Sequence, residues 1–222
     1  MLRRNAIWKT LLVGLLTLLN LRQASQVSAG INFWTSNGPG GGRVVALAAH
    51  QQNPSIIYAV VGGNNAFHST NGGSMFKSTD GGGNWGTVNT GMSNNSVHTL
   101  AIDLQSPNTI YAGTYANGVI KSTNDGRNWN AVNTGLGNTS VGVLAIDPQN
   151  PSTISTGTDT GVLKSINGSA NWSAVNSGLT YYSTTALAID PQNPSTLYAA
   201  TGVGVSKSTN GGGRVGARST TV

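Results

Sequence analysis

Any acid–base or nucleophilic chemistry in this chain has to come from a short roster of side chains. The acids are Asp80, Asp103, Asp125, Asp147, Asp159 and Asp190, which account for all 6 Asp+Glu, so glutamate is absent. Cysteine is absent too, which excludes disulfides, thiol nucleophiles and thiolate metal sites. His50, His68 and His98 lie far apart, without a His-x-x-x-His pairing, so no metal site is expected. The sequence lacks a Gly-x-Ser-x-Gly elbow, and the glycine run from Gly38 to Arg43 lacks the phosphate-loop pattern, so no cofactor is expected either. A glycosidase needs two carboxyl groups across one bond. Only Asp125 and Asp159 stand outside repeated turn motifs, and they lie in different parts of the chain.

These groups must be positioned by an architecture, and a repeat supplies it. Leu100-Ala101-Ile102-Asp103 recurs as Leu144-Ala145-Ile146-Asp147 and Leu187-Ala188-Ile189-Asp190, with a weaker copy at Leu47-Ala48-Ala49-His50. A polar turn with proline follows each copy, at Pro54, Pro107, Pro151 and Pro194. Next comes an apolar run such as Thr109-Ile110-Tyr111-Ala112, then a second run ending in lysine, then a glycine-rich turn. That turn ends in tryptophan at Trp85, Trp129 and Trp172, about 44 residues apart. Each unit thus holds four short β runs separated by Gly, Asn, Asp, Ser and Pro clusters. In the second unit the runs are expected near Val97–Asp103, Thr109–Thr114, Gly118–Ser122 and Asn128–Asn133, with Val119 and Lys121 facing opposite to Ile120. The 31 glycines reflect turns repeated once per unit. Units of this length with four strands predict an all-β fold, a β-propeller of four-stranded blades, with a right-handed β-helix as the competing reading.

The glycine-rich turn carries a family resemblance. Ser78, Asp80, Gly82 and Trp85 fit Ser-x-Asp-x-Gly-x-x-Trp, the Asp-box of the bacterial neuraminidase (BNR) repeat. Ser122, Asn124, Gly126 and Trp129 fit with Asn for Asp; Ser165, Asn167 and Trp172 fit with Ser169 in the glycine position. Ser208, Asn210 and Gly212 begin a fourth box, but Val215 stands where tryptophan belongs. Together with the Leu-Ala-Ile-Asp-Pro and Tyr-Ala segments, the chain resembles propellers of sortilin-type receptors, photosystem II assembly factors and xyloglucan-cleaving glycosidases. The resemblance implies that the box is a fold signature shared by enzymes and non-enzymes. Its Asp or Asn is expected to cap a tight turn and its Trp to cover the hairpin base.

The first 29 residues have a different character. Arg3, Arg4 and Lys9 precede the apolar run Leu11 to Leu19, and Val27-Ser28-Ala29 offers a cleavage site, so residues 1–29 are expected to be a secretory signal peptide. An uncleaved anchor is the competing reading, but the run is short for a span of roughly 20 residues. Arg22 also falls in this segment, so most of the formal +6 belongs to it and the rest of the chain lacks the basic stripe of a nucleic-acid binder. The repeats occupy residues 30–213, in units near 38–90, 91–134, 135–177 and 178–213, and residues 214–222 leave the pattern. Residues 33–37, Phe-Trp-Thr-Ser-Asn, resemble the last strand of a blade, so the ring is expected either to close with about four blades or to be part of a larger one.

The function expected is that of a secreted or periplasmic, non-catalytic scaffold binding a protein partner or a polysaccharide through a loop face; the alternative is part of a sialidase- or xyloglucanase-like glycoside hydrolase. Candidate contacts are of three kinds. Lys77, Lys121, Lys164 and Lys207 each precede a box serine and would form an arc on one face. They are expected either to hold an anionic ligand or to be solvated lysines whose stems cover neighbouring rings. Phe67 and His68 lie in an insertion of the first unit that is either a binding loop or a relic of duplication. Tyr115, Tyr181 and Tyr182 sit in loops as candidate glycan-stacking residues.

Overall fold

The computed structural model describes residues 38–39, 42–62, 74–92 and 96–213. The expected signal segment, the strand-like residues 33–37, the insertion with Phe67 and His68, and the tail from residue 214 lie outside the described residues.

Every regular element among these residues is a β-strand. Blade 1 holds β1 (Arg43–Ala49), β2 (Ile57–Gly62), β3 (Ser74–Ser78) and β4 (Gly86–Thr87). Blade 2 holds β5 (Val97–Ile102), β6 (Ile110–Thr114), β7 (Val119–Ser122) and β8 (Asn130–Ala131). Blade 3 holds β9 (Val141–Ile146), β10 (Ile154–Thr158), β11 (Gly161–Ser165) and β12 (Ser173–Ala174). Blade 4 holds β13 (Thr184–Ile189), β14 (Leu197–Thr201) and β15 (Gly204–Ser208). Each blade is an antiparallel meander with strands in chain order, and the fourth sheet has three strands. This is the all-β propeller architecture that the repeat predicted.

Alternation along the strands sends residues to opposite blade faces, and the core lies between blades. Ile120 packs with Met75, Ile110 and Trp129 between blades 1 and 2. Its neighbour Val119 packs with Val141, Leu144 and Trp172 between blades 2 and 3. Val162, Leu197 and Ala199 form the smaller core between blades 3 and 4. The innermost strands β1, β5, β9 and β13 touch in that order. Leu47 on the free face of blade 1 and Val205 on that of blade 4 are exposed, so the described residues form an open arc and not a closed four-blade ring.

One expected strand shrinks. The run Asn128–Asn133 pairs only as Asn130–Ala131, because both flanks have other work. The Asn128 amide donates to Asn124 Oδ1, and Trp129 turns into the blade interface. At the other end Asn133 Oδ1 accepts the Val119 amide, which caps β7 instead of extending β8.

Each innermost strand also shifts register near its start, between Val44 and Ala46, Val97 and Thr99, and Thr184 and Ala186, with the matching shift opposite Gly157 and Thr158 in blade 3. Such bulges re-aim a side chain, and in blade 2 the residue inside the shift is His98.

Candidate functional site

A blade has two ends, and the candidate residues divide between them. At one end the β1–β2 type of turn meets the box turn of the same blade: Gly81 N donates to Ser55 O, Asp125 N to Asn108 O, Gly168 N to Ser152 O and Gly211 N to Ser195 O. At the other end the β2–β3 hairpins meet the interblade loops, as where Tyr115 N donates to Ser96 O and Gly118 N to Thr139 O.

The box end is a set of nearly identical hydrogen-bonded turns. Ser78 Oγ donates to Asp80 Oδ1 at 2.8 Å and accepts from the Gly82 amide at 2.8 Å. Asp80 in turn accepts from the Asn84 amide at 2.8 Å and from Asn84 Nδ2 at 2.7 Å. These donors, the Asn84 amide first, hold the Asp80 carboxyl down to about 2. Ser122 with Asn124, Ser165 with Asn167, and Ser208 with Asn210 build the same turn with a neutral amide. The two residues before the tryptophan side of the turn take positive φ: Gly81 and Gly82 in the first box, Asp125 and Gly126 in the second, Gly168 and Ser169 in the third. Glycine suits both positions, and Ser169 holds the conformation without it.

Two box-end devices tie neighbouring blades together. Trp129 Nε1 donates to Gly126 O at 3.0 Å in its own turn and to Val88 O at 3.2 Å in blade 1. Trp172 Nε1 donates to Val132 O of blade 2 at 2.7 Å. Trp85, with no blade before it among the described residues, is only half-buried and donates to Gly82 O. Between blades 3 and 4, Val175, Leu179, Leu197 and Gly212 line a small apolar cleft.

The second device involves the lysines expected either to hold an anionic ligand or to be solvated with their stems over neighbouring rings. Lys77, Lys121 and Lys164 each reach across to the same position of the next blade's box. Lys77 Nζ pairs with Asp125 Oδ1 at 3.3 Å, Lys121 Nζ donates to Gly168 O at 3.1 Å, and Lys164 Nζ donates to Gly211 O at 3.3 Å. The amines of Lys77, Lys121 and Lys207 also stand over the rings of Tyr58, Tyr111 and Tyr198, at 5.3, 5.1 and 5.4 Å from the centroids. Lys207 alone of the four is exposed. Desolvation between polar neighbours explains the difference: once a blade packs alongside, an amine that kept only water would be costly. Asp125, one of the two aspartates outside the repeat pattern, is thereby a structural partner, held by Lys77 and by the Tyr58 hydroxyl at 3.4 Å. Burial, and then the Asp125 charge, push the Tyr58 hydroxyl well above its ordinary value.

The remaining aspartates cap turns. Asp103 Oδ1 accepts the Gln105 and Ser106 amides, Asp147 Oδ1 those of Gln149 and Asn150, and Asp190 Oδ1 those of Gln192 and Asn193. In the first unit His50 Nδ1 accepts the Asn53 amide in the same role. Asp159 is exposed and is the one aspartate with no side-chain hydrogen bond or ion pair among the described residues. No group of histidines and acids that could hold a metal occurs among the described residues.

The loop end carries the exposed aromatics. Tyr115, Tyr181 and Tyr182 are 42%, 47% and 51% exposed and all lie on this face. Tyr115 follows β6 and stacks at a tilt on the His98 ring, 5.8 Å between centroids. Tyr182 is fixed through its carbonyl, which accepts from Thr184 Oγ1 at 2.9 Å. A side chain at Gly202 would meet the Tyr181 ring, so that ring rests on the β14–β15 hairpin. Asp159 occupies the β10–β11 hairpin of the same face.

Two recurrent features went unread in the sequence. Asn89, Asn133 and Asn176 accept the amides that open β3, β7 and β11, at 2.6, 2.8 and 2.7 Å. Gln52, Gln105 and Gln149 donate to main-chain carbonyls of the next blade's turn. The signal was available, since both residues recur at fixed places in successive units.

No protein-family profile and no curated protein matches the sequence. Solved structures do. An ancestral GH74 enzyme is 26% identical, with a TM-score of 0.62 over 84% of this chain and 26% of its own. The extracellular domain of a hybrid two-component system from B. thetaiotaomicron is 13% identical, with a TM-score of 0.56 over 82% of this chain and 25% of that one. YCF48 from Cyanidioschyzon merolae is 15% identical, with a TM-score of 0.53 over 78% and 55%. The chain therefore spans about a quarter of the length of the first two. The likeness is one of propeller fold, and it includes enzymes and extracellular domains alike.

Proposed function

We propose that this chain is an extracytoplasmic, non-catalytic binding module of the Asp-box class that takes polysaccharide on its loop face. The observation that carries this reading is the exposure of Tyr115, Tyr181 and Tyr182 together on the face opposite the boxes. Exposed rings on short loops of a rigid scaffold suit stacking on sugar faces, because they bring large apolar area at little cost in side-chain entropy. The box end is poorly suited, since its polar groups are committed to holding turns and blades.

The commitment of the carboxylates argues for binding without turnover. Five of the six aspartates have partners in turns or between blades, which leaves Asp159 alone where glycoside hydrolysis needs two carboxyl groups. A glycoside hydrolase is the second reading, and it is favoured by the GH74 enzyme at 26% identity. A glycan array decides between them. The expected result is a set of polysaccharide hits that Tyr181→Ala and Tyr182→Ala abolish without changing the fold. One co-purifying protein and no glycan hits would replace polysaccharide with a protein partner. Turnover of aryl-glycosides that disappears on Asp159→Ala would overturn the non-catalytic reading.

A further inference from the structure

The two ends of the arc are complementary halves of an interface that the chain already makes three times. In each internal junction, the downstream face of one blade meets the upstream face of the next. On the downstream side, Met75, Val119 and Val162 occupy the same place two residues before the lysine and are 0%, 0% and 2% exposed. Val205 has that place in blade 4 and is 46% exposed. On the upstream side, Leu144 is 8% exposed and Leu100 and Leu187 are partly buried, whereas Leu47 is 65% exposed in blade 1. Val44 is likewise 45% exposed where Val97 and Val141 are buried, and Ile57 and Phe76 on the same face are half-buried.

The polar hook is duplicated as well. Lys77, Lys121 and Lys164 each bond the fourth residue of the following box, at Asp125, Gly168 and Gly211. Lys207 stands over Tyr198 in the pose of Lys77 over Tyr58, but is exposed. The fourth residue of the first box, Gly81, is exposed and follows the ionised Asp80, so blade 1 presents both a carbonyl and a negative charge where that amine would arrive.

We propose that the blade 4 face of one chain docks on the blade 1 face of a second copy, head to tail, with Val205 and Tyr198 covering Leu47, Ile57 and Phe76 and with Lys207 bonding Gly81 O of the second copy. The occupant follows from the three internal junctions: the surface that fits an upstream blade face in this fold is a downstream blade face with its lysine. A heterologous contact of this kind closes into a ring when its rotation permits and otherwise extends. The contact is separate from the loop face and does not depend on what that face binds.

Sedimentation velocity on the full chain and its variants tests it. The wild type is expected to sediment as more than one copy. Leu47→Asp and Val205→Asp, both at exposed positions, should each weaken association by roughly tenfold or more, as should Lys207→Glu. An equimolar mixture of Leu47→Asp and Val205→Asp should regain a two-chain species, because each supplies the intact face that the other lacks. A single copy at all concentrations, association that survives these substitutions, or a mixture that fails to recover would each overturn the proposal.

Discussion

Trp129 and Trp85 hold the same place in the same box, and the structure requires that they differ in what they contribute. Trp129 is 4% exposed between blades 1 and 2, and its indole nitrogen reaches Val88 O across the junction. Trp85 makes the corresponding bond within its own turn but is half-buried. Truncating a fully buried tryptophan removes about 150–250 Å² of burial, or about 4–6 kcal/mol of transfer free energy at 25 cal/mol/Å². Measured large-to-small costs for such residues are about 3–5 kcal/mol. Partial burial at Trp85 scales that to about 2–3 kcal/mol. With total stability of about 5–15 kcal/mol, Trp129→Ala should stay folded but lose much of its margin.

Urea unfolding in dilute solution, followed by tryptophan fluorescence and by far-UV circular dichroism, measures the difference. At an m-value of about 2.5 kcal/mol/M, Trp129→Ala should lower the midpoint by about 1.5 M and Trp85→Ala by about 1 M. Stability in stacked repeats is a sum of unit and junction terms, so Trp129→Ala should also separate the two probes by loosening the junction of blades 1 and 2. Equal midpoint shifts for the two variants would refute the reasoning, because they would mean that the box tryptophan stabilises its own turn and not the junction.

Asp80 carries the acid-sensitive box. Its carboxyl is held down to about 2 from 3.8, so the stability that it contributes is complete above about pH 4 and is lost as pH falls toward 2. Asp80→Asn gives the first box the neutral amide of the other three and should remove that component, so thermal melts should place the variant below the wild type at pH 5 and bring the two together as pH falls toward 2. Lys121→Met should cost about 1 kcal/mol by deleting the bond to Gly168 O, whereas Lys207→Met should stay within about 0.5 kcal/mol in dilute solution, as chemical denaturation will read. Gly135 has φ +81° and lies against the Trp172 main chain, so Gly135→Ala should cost about 2 kcal/mol or more in the same assay.

The fold was legible in the sequence because propeller information is repeated and local. Apolar alternation, turn residues and box spacing recur in each unit, so an error in one copy is corrected by the next. Ser169 shows this: a serine in a glycine position is ambiguous alone, yet its φ of 74° matches the glycines at that place in the other boxes. What stayed hidden is what depends on the neighbouring blade. A lysine before a box looks like a surface cation in any single unit, and nothing inside the unit says that the next blade's box will meet its amine. Asp125 looked like a free acid for the same reason, its partners Lys77 and Tyr58 lying about 50–70 residues upstream in another sheet.

That dependence also sorts the candidates for function. A residue whose role is to join blades is buried wherever a neighbour exists and exposed only at the two ends of the arc, as Lys207, Val205 and Leu47 are. Its exposure therefore points to another blade face. Tyr115, Tyr181 and Tyr182 behave differently: they interrupt the repeat, differ from their counterparts in other units, and are exposed although blades flank them. The repeated packing between blades is not what places aromatic rings there, Tyr115 resting on His98 and Tyr181 on the β14–β15 hairpin, which is why the loop face and not the lysine arc is the place to look for a ligand.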